Sequence, residues 1–157
     1  MKKQKVLITS LVILMMLTLI FALNVSAVSE EKHEYLQEAK ILLQKRTKVM
    51  NDAIYENKKL SLVKKELEKI EKGSCYDWDI EVIENFRKNP TDYCYVHDFK
   101  VSEVKNIDIK DNMINFKLLI TWNIEDYNGK MEIKEKYNLK IVKLEDSFYI
   151  EKFDIIK

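Results

Sequence analysis

Glycine and proline are nearly absent from this chain, with two Gly and one Pro in 157 residues. Few sharp turns can be built from so little, so helices and strands must be joined by short polar hairpins. Glycine-rich phosphate loops are excluded by the same count. Arginine is scarce too: only Arg46 and Arg87 stand among 27 basic residues. Lysine is a compact point charge without the planar fork that reads phosphates and bases bidentately. Positive charge is not in excess either. Once residues 1–27 are set aside, with Lys2, Lys3 and Lys5 and no acid, 24 basic residues face 26 acidic ones. A nucleic-acid binder would present a basic face, so no nucleic-acid partner is expected. Anionic lipid exerts no strong pull on such a chain. Hydrophobic residues make up 46% and charged residues 34%, which favours one packed domain over disorder.

The N-terminus departs from this composition. Met1 to Lys5 is basic, and Val6 to Leu23 is a run with no charge, Gly or Pro. Positive charge followed by an apolar run places the N-terminus inside and the remainder outside. Val25 and Ala27 fit the small-residue rule for cleavage after Ala27, which favours a signal peptide. The run is long for a signal peptide and close to the ~17–25 residues that span a bilayer, which suits a retained transmembrane anchor. The expectation is therefore a signal peptide or N-terminal membrane anchor over residues 1–27 and a single extracytoplasmic domain over 28–157. The protein is then secreted, or held at the cytoplasmic membrane with its domain outside. No Cys follows the run, so a lipid anchor on cysteine is excluded.

Beyond Ala27 the apolar residues first recur every three to four positions. Tyr35, Leu36, Ala39, Leu42, Leu43, Val49, Met50, Ala53 and Ile54 predict one long helix from Ser29 to about Lys59, capped by Ser29. A second helix is expected from Leu62 to Lys72, with Ser61 as cap and Gly73 as a left-handed stop. Asp77 is expected to cap a third helix reaching about Lys88, closed by Asn89-Pro90. After Thr91 the period changes to two. Phe99, Val101, Ile107 and Ile109 alternate, with Val104 out of phase in the manner of a bulge. Ile114, Phe116, Leu118, Ile120, Trp122 and Ile124 alternate without a miss and form the expected core face of the sheet. Turns fall at Lys110-Asp111-Asn112, at Tyr127-Asn128-Gly129-Lys130 with its Asn-Gly hairpin signal, and at Glu145-Asp146-Ser147. Helices that precede an antiparallel meander are the only cover for its apolar face. The predicted class is α+β, with N-terminal helices packed on a curved four-stranded antiparallel meander sheet.

This order, with the tail Glu145-Asp146-Ser147-Phe148-Tyr149-Ile150-Glu151-Lys152-Phe153, resembles exported bacterial domains of the nuclear-transport-factor-two-like superfamily. Many of these end in a turn and a Trp-bearing strand, where this chain has Phe148-Tyr149. The resemblance spans about Ser29 to Ile156. It implies a bent sheet folded round the first helix. Members of the superfamily include isomerases, dehydratases, transport factors and non-catalytic parts of secretion and conjugation machines, so fold alone does not assign a function.

Candidate chemistry is sparse, and no catalytic, cofactor-binding or metal-binding residue is assigned. Cys75 and Cys94 are an even pair in an exported domain and can form one disulfide. It would close a loop of about 19 residues and stabilise by about 3 kcal/mol. The alternative is two free thiols packed as small apolar groups. Cys94-x-x-His97, completed by Cys75 or Asp98, has zinc-like spacing but lacks a second paired motif. Tyr76, Trp78, Tyr93 and Tyr95 cluster around the cysteines and form a candidate contact patch, or else a cover for the open end of the core. In isomerase-type members of the superfamily an acid and a Tyr face an apolar cavity. Tyr137 and Glu135 share the inward parity here, with Glu135 read as a solvated residue at the sheet edge. The expected role is non-enzymatic binding of an envelope protein, of a second copy as a homodimer, or of a small apolar ligand. The alternatives are an isomerase or dehydratase, and an anchored scaffold.

Overall fold

The computed structural model describes residues 31–90 and 94–156. Residues 1–27, expected as a signal peptide or membrane anchor, lie outside the described residues, as do Ser29 and Tyr93. The chain divides into two compact units, Met1–Leu36 and Gln37–Lys157. In the first, residues 31–36 are helical. In the second, residues 37–55 form α1, followed by α2 (Leu60–Leu67), α3 (Gly73–Lys88), β1 (Tyr95–Lys110), β2 (Met113–Asp126), β3 (Gly129–Leu144) and β4 (Ser147–Ile155). No described helix is long and apolar enough to cross a membrane.

α1 follows from its apolar spacing. Ala39, Leu42, Leu43, Val49, Met50, Ala53 and Ile54 are all buried, one stripe every three to four residues. The stripe ends where Asn57 takes a positive φ of 50°. Arg87 then holds this corner by donating to the carbonyls of Ala53 and Lys58.

The second and third helices correct the sequence expectation. α2 starts at Leu60 without a side-chain cap, so Ser61 lies inside it, and it stops at Leu67. The competing partner is the edge of β4. Ile150 donates its N–H to the Ile70 carbonyl at 2.8 Å and accepts from the Lys72 N–H at 2.9 Å. Glu71 thereby pairs with Ile150 as a parallel bridge. Ile70 and Glu71 still donate to the Leu67 carbonyl in a last turn, while the Ile70 carbonyl and the Lys72 N–H are given to the sheet. Gly73, at φ +57°, then redirects the chain straight into α3. Asp77 is therefore an interior residue of α3, not its cap.

The four strands lie in the order β1-β2-β3-β4, each antiparallel to the next, as one curved, unclosed α+β sheet. β2 and β3 pair without a break, with Phe116 opposite Leu139 and Trp122 opposite Ile133. The flanking pairs carry irregularities. β1 slips against β2 at Val96/Asp98, Val101/Glu103 and Lys105/Asp108, and β4 slips at Lys140/Ile141. Such bulges bend and twist a sheet, so the curvature is concentrated in the outer strands. All six expected core residues of β2 are buried, from Ile120 at 0% exposed to Trp122 at 9%.

Three tight turns join the strands, with positive φ at Asp111, Gly129 and Glu145. Gly129 differs from the other two. Its φ of +116° lies where L side chains rarely go, and nothing stands within 4 Å of an added Cβ. The cost of Gly129→Ala is therefore backbone strain alone. It is expected to lower stability by about 1–3 kcal/mol, read as a drop in the urea midpoint at constant m-value. An unchanged midpoint would mean that the hairpin relaxes to another turn.

Candidate functional site

Between α1 and the inward face of the sheet the packing is incomplete. A cavity of about 280 Å³ remains, bounded by Arg46, Thr47, Met50 and Asn51 from α1. Val96 of β1, Trp122 and Ile124 of β2, Ile133, Glu135 and Tyr137 of β3, and Phe153 of β4 complete it, with Cys94 at the start of β1. Asn51 fixes one wall. Its amide donates to the Val96 carbonyl at 2.7 Å and accepts from the Val96 N–H at 3.3 Å, so a helix side chain pairs with β1 as a strand would.

Three side chains on the sheet wall form a directed relay. The Trp122 indole N–H donates to the Tyr137 hydroxyl oxygen at 3.0 Å. That hydroxyl donates in turn to Glu135 Oε2 at 2.6 Å. Burial raises the Tyr137 hydroxyl well above its usual range, and the hydrogen bond to Glu135 raises it further, so it stays a donor. The Tyr137 ring stacks on Phe153 at 4.5 Å between centroids and meets Trp122 edge-on at 5.9 Å. The expectation of a solvated Glu135 is corrected: it is half-buried, lines the cavity and is tied to Tyr137. The alternation of β3 had already pointed Glu135 and Tyr137 the same way.

Behind this wall lies a buried ionic cluster. Arg46 Nε stands 2.8 Å from Glu71 Oε1, and Arg46 Nη2 donates to Asp79 Oδ1 at 2.6 Å. Glu71 and Asp79 are 0% and 1% exposed. Burial alone would push the Arg46 guanidinium down, but Asp79 and Glu71 hold it above its usual range. Burial and the neighbouring Asp79 push Glu71 up to about 8, against the opposing pull of Arg46. Glu71 Oε2 and Asp79 Oδ2 are both buried without a donor. One proton on Glu71, donated to Asp79, satisfies both atoms at once. The guanidinium of Arg46 also lies over the Phe153 ring, 5.2 Å from its centroid, which links the cluster to the cavity wall.

The cysteines do not behave as a pair. No bond joins the two sulfurs, so the expected Cys75–Cys94 disulfide is absent from the structure. Cys75 is buried at the start of α3, with its thiol 3.5 Å from Glu71 Oε1, whereas Cys94 borders the cavity. Burial, with Glu71 and Asp79 close by, pushes the Cys75 thiol above its usual range despite Arg46, so it is a poor nucleophile. Cys75, Glu71 and Asp79 place ligand-type atoms within 4.8 Å of one another, but Arg46 already supplies the cation there. The zinc-like spacing leads elsewhere, since His97 pairs with Glu125 at 2.6 Å.

Of the aromatic residues flanking the cysteines, the three described ones have different neighbours. Trp78 is 64% exposed on α3 near Phe153 and Ile155 of β4. Tyr95 meets the rings of Tyr55 and His97 instead. Tyr76 reaches Glu68 at 3.4 Å.

No protein-family model matches this chain, and no curated protein does. Among solved structures, the intermembrane space region of the chloroplast protein ARC6 is similar at 9% identity and a TM-score of 0.49, covering 76% of this chain and 95% of that one. A de novo designed protein with a curved β-sheet is similar at 17% identity and a TM-score of 0.34, covering 76% and 100%. A de novo β-sheet design solved by NMR stands at 16% identity and 0.35, covering 76% and 88%. By its own element order and curved sheet, this chain is of the α+β class.

Proposed function

We propose that this chain is an exported, non-enzymatic binding domain of the bacterial cell envelope, built on the nuclear-transport-factor-two-like plan. It takes a small, largely apolar ligand between α1 and the sheet. The observation that carries this reading is the cavity: about 280 Å³ of space is left where Trp122, Ile124, Ile133 and Tyr137 could have packed it shut. Well-packed interiors leave few voids larger than a water molecule, and largely apolar pockets with a few convergent polar groups are the usual form of ligand sites. Export is supported by the basic, then apolar, N-terminus.

A second reading, proton transfer of the isomerase kind, has the Glu135–Tyr137 pair in its favour. The pair is configured against it. The Tyr137 hydroxyl is committed to Glu135 at 2.6 Å rather than aimed at a substrate, and its acidity is weakened. A half-buried carboxylate that already accepts this hydrogen bond is a poor match to a desolvated general base.

Cells producing the untagged protein should be fractionated and its intact mass recorded from membrane and medium. Loss of residues 1–27 with recovery in the medium is the expected result for a secreted binder, and full length in the membrane points to an anchored one. A cytoplasmic full-length protein would overturn the export reading. Titration with a set of single-ring compounds, followed by amide NMR shifts, should perturb Met50, Asn51, Ile133 and Tyr137 together. Shifts confined to other surfaces would remove the cavity from consideration.

A further inference from the structure

We propose that the cavity between α1 and the sheet selects a small organic cation, an ammonium group on an apolar body of about one ring, with Glu135 as its counter-ion. This rests on the reading of the cavity as a binding site and adds the chemistry of its occupant.

The charge inventory of the walls carries the inference. Two lining residues are charged, Arg46 and Glu135. Arg46 is engaged by Asp79 and Glu71, which balance its charge. Glu135 has no such balance: among the described residues no Lys, Arg or His forms an ion pair with it. Its neighbours Lys134 and Lys136 stand on the opposite face of the strand, by the alternation of β3. The net charge presented to a ligand is therefore negative.

The hydrogen bonds agree with the charges. The relay from Trp122 through Tyr137 delivers a donor to Glu135 Oε2. A donor aimed at a carboxylate oxygen fixes the orientation of the group. The other oxygen, Oε1, accepts no hydrogen bond from a described residue and is available to an ammonium head. A charge-assisted bond of this kind is roughly twice as strong as a neutral one. The walls next to Glu135 are Trp122, Tyr137 and Phe153, whose ring electrons favour a cation, with Met50, Ile124 and Ile133 for the apolar body. An anion would have to sit beside Glu135 while Arg46 is already paired with carboxylates. A bare metal ion would find a single carboxylate on these walls and no second one. The volume lies just below the about 300–1,000 Å³ that ligand pockets span, so a body larger than one ring is disfavoured.

The test is a matched series on the protein purified as cells export it: phenethylamine, phenethyl alcohol and 3-phenylpropionate, titrated by calorimetry at neutral pH. The amine is expected to bind about tenfold more tightly than the alcohol, with the carboxylate weakest. Glu135→Gln should bring the amine down to the level of the alcohol. Glu135→Asp, which keeps the charge, should retain part of the preference. Urea midpoints equal to that of the parent show that the variants are folded. Equal binding of all three, or a preference for the carboxylate, overturns the cation assignment and leaves the binding cavity standing. Binding by none of them overturns both readings.

Discussion

Replacing Arg46 with methionine is expected to lower the folding stability of the domain by about 3–5 kcal/mol at pH 7, measured by urea unfolding. The substitution keeps the length of the side chain and its packing against Phe153, but removes the one cation that, among the described residues, pairs with two carboxylates that are 0% and 1% exposed. What is lost is chiefly the compensation for an anion left in a low-dielectric interior, not the attraction of the pair itself. The same logic gives an unusual corollary. Adding Glu71→Leu and Asp79→Leu to Arg46→Met should recover most of the loss, because a neutral, well-packed cluster needs no counter-charge. The three changes are therefore expected to be strongly non-additive. A loss below about 1 kcal/mol for Arg46→Met would mean that water reaches the carboxylates and that the cluster is not the buried anchor its geometry describes.

The sheet was far more legible in the sequence than this cluster. Ile114 to Ile124 alternate because one face must be dry, and that demand is strong enough to be read residue by residue. The three turns could be placed because Asp111, Gly129 and Glu145 mark breaks in the alternation, and each takes a positive φ. The boundary of α2 could not, because residues 70–72 are claimed by Ile150, nearly 80 positions later, and a local pattern carries no trace of a distant strand edge. The ionic cluster did leave a signal. Arg46 falls in phase with Leu42, Leu43, Val49 and Met50, and Asp79 falls in phase with Cys75 and Ile83. A charge on an apolar stripe is either an error in the helix reading or a buried partner awaiting its opposite. Two such breaks of opposite sign, on different helices, are grounds for pairing them. The cavity is intermediate. Parity puts Glu135 and Tyr137 on one face, but their hydrogen bond is a three-dimensional fact.

Glu71→Gln is expected to change the pH dependence of stability. In the folded protein Glu71 faces Arg46 from α1 and Cys75 and Asp79 from α3, and burial with the charge of Asp79 raises it from an ordinary value of 4.5 to about 8. Between those values the folded state holds a proton that the unfolded state has released. Stability must then fall as pH rises, by at most about 1.4 kcal/mol per pH unit for this one group. Its contribution is complete below 4.5, declines through neutrality and is gone above about 8. Glutamine has the same shape and no proton to lose: its amide can donate to Asp79, and its carbonyl can accept from Arg46. At pH 5 the variant and the parent should be close in stability. At pH 8.5 the variant should be more stable, by a difference of the order of 3 kcal/mol. Asp52 works in the other direction, since Lys48 and Lys58 outweigh its burial and hold it below the usual range, which adds stability that is lost in acid. That contribution is common to both proteins and cancels in the difference, so the comparison isolates Glu71. Urea midpoints for both proteins from pH 5 to pH 9 provide the measurement. A difference that stays flat across the range would place an ionised Glu71 beside Asp79 throughout, and the shared proton between the two carboxyls would have to be abandoned.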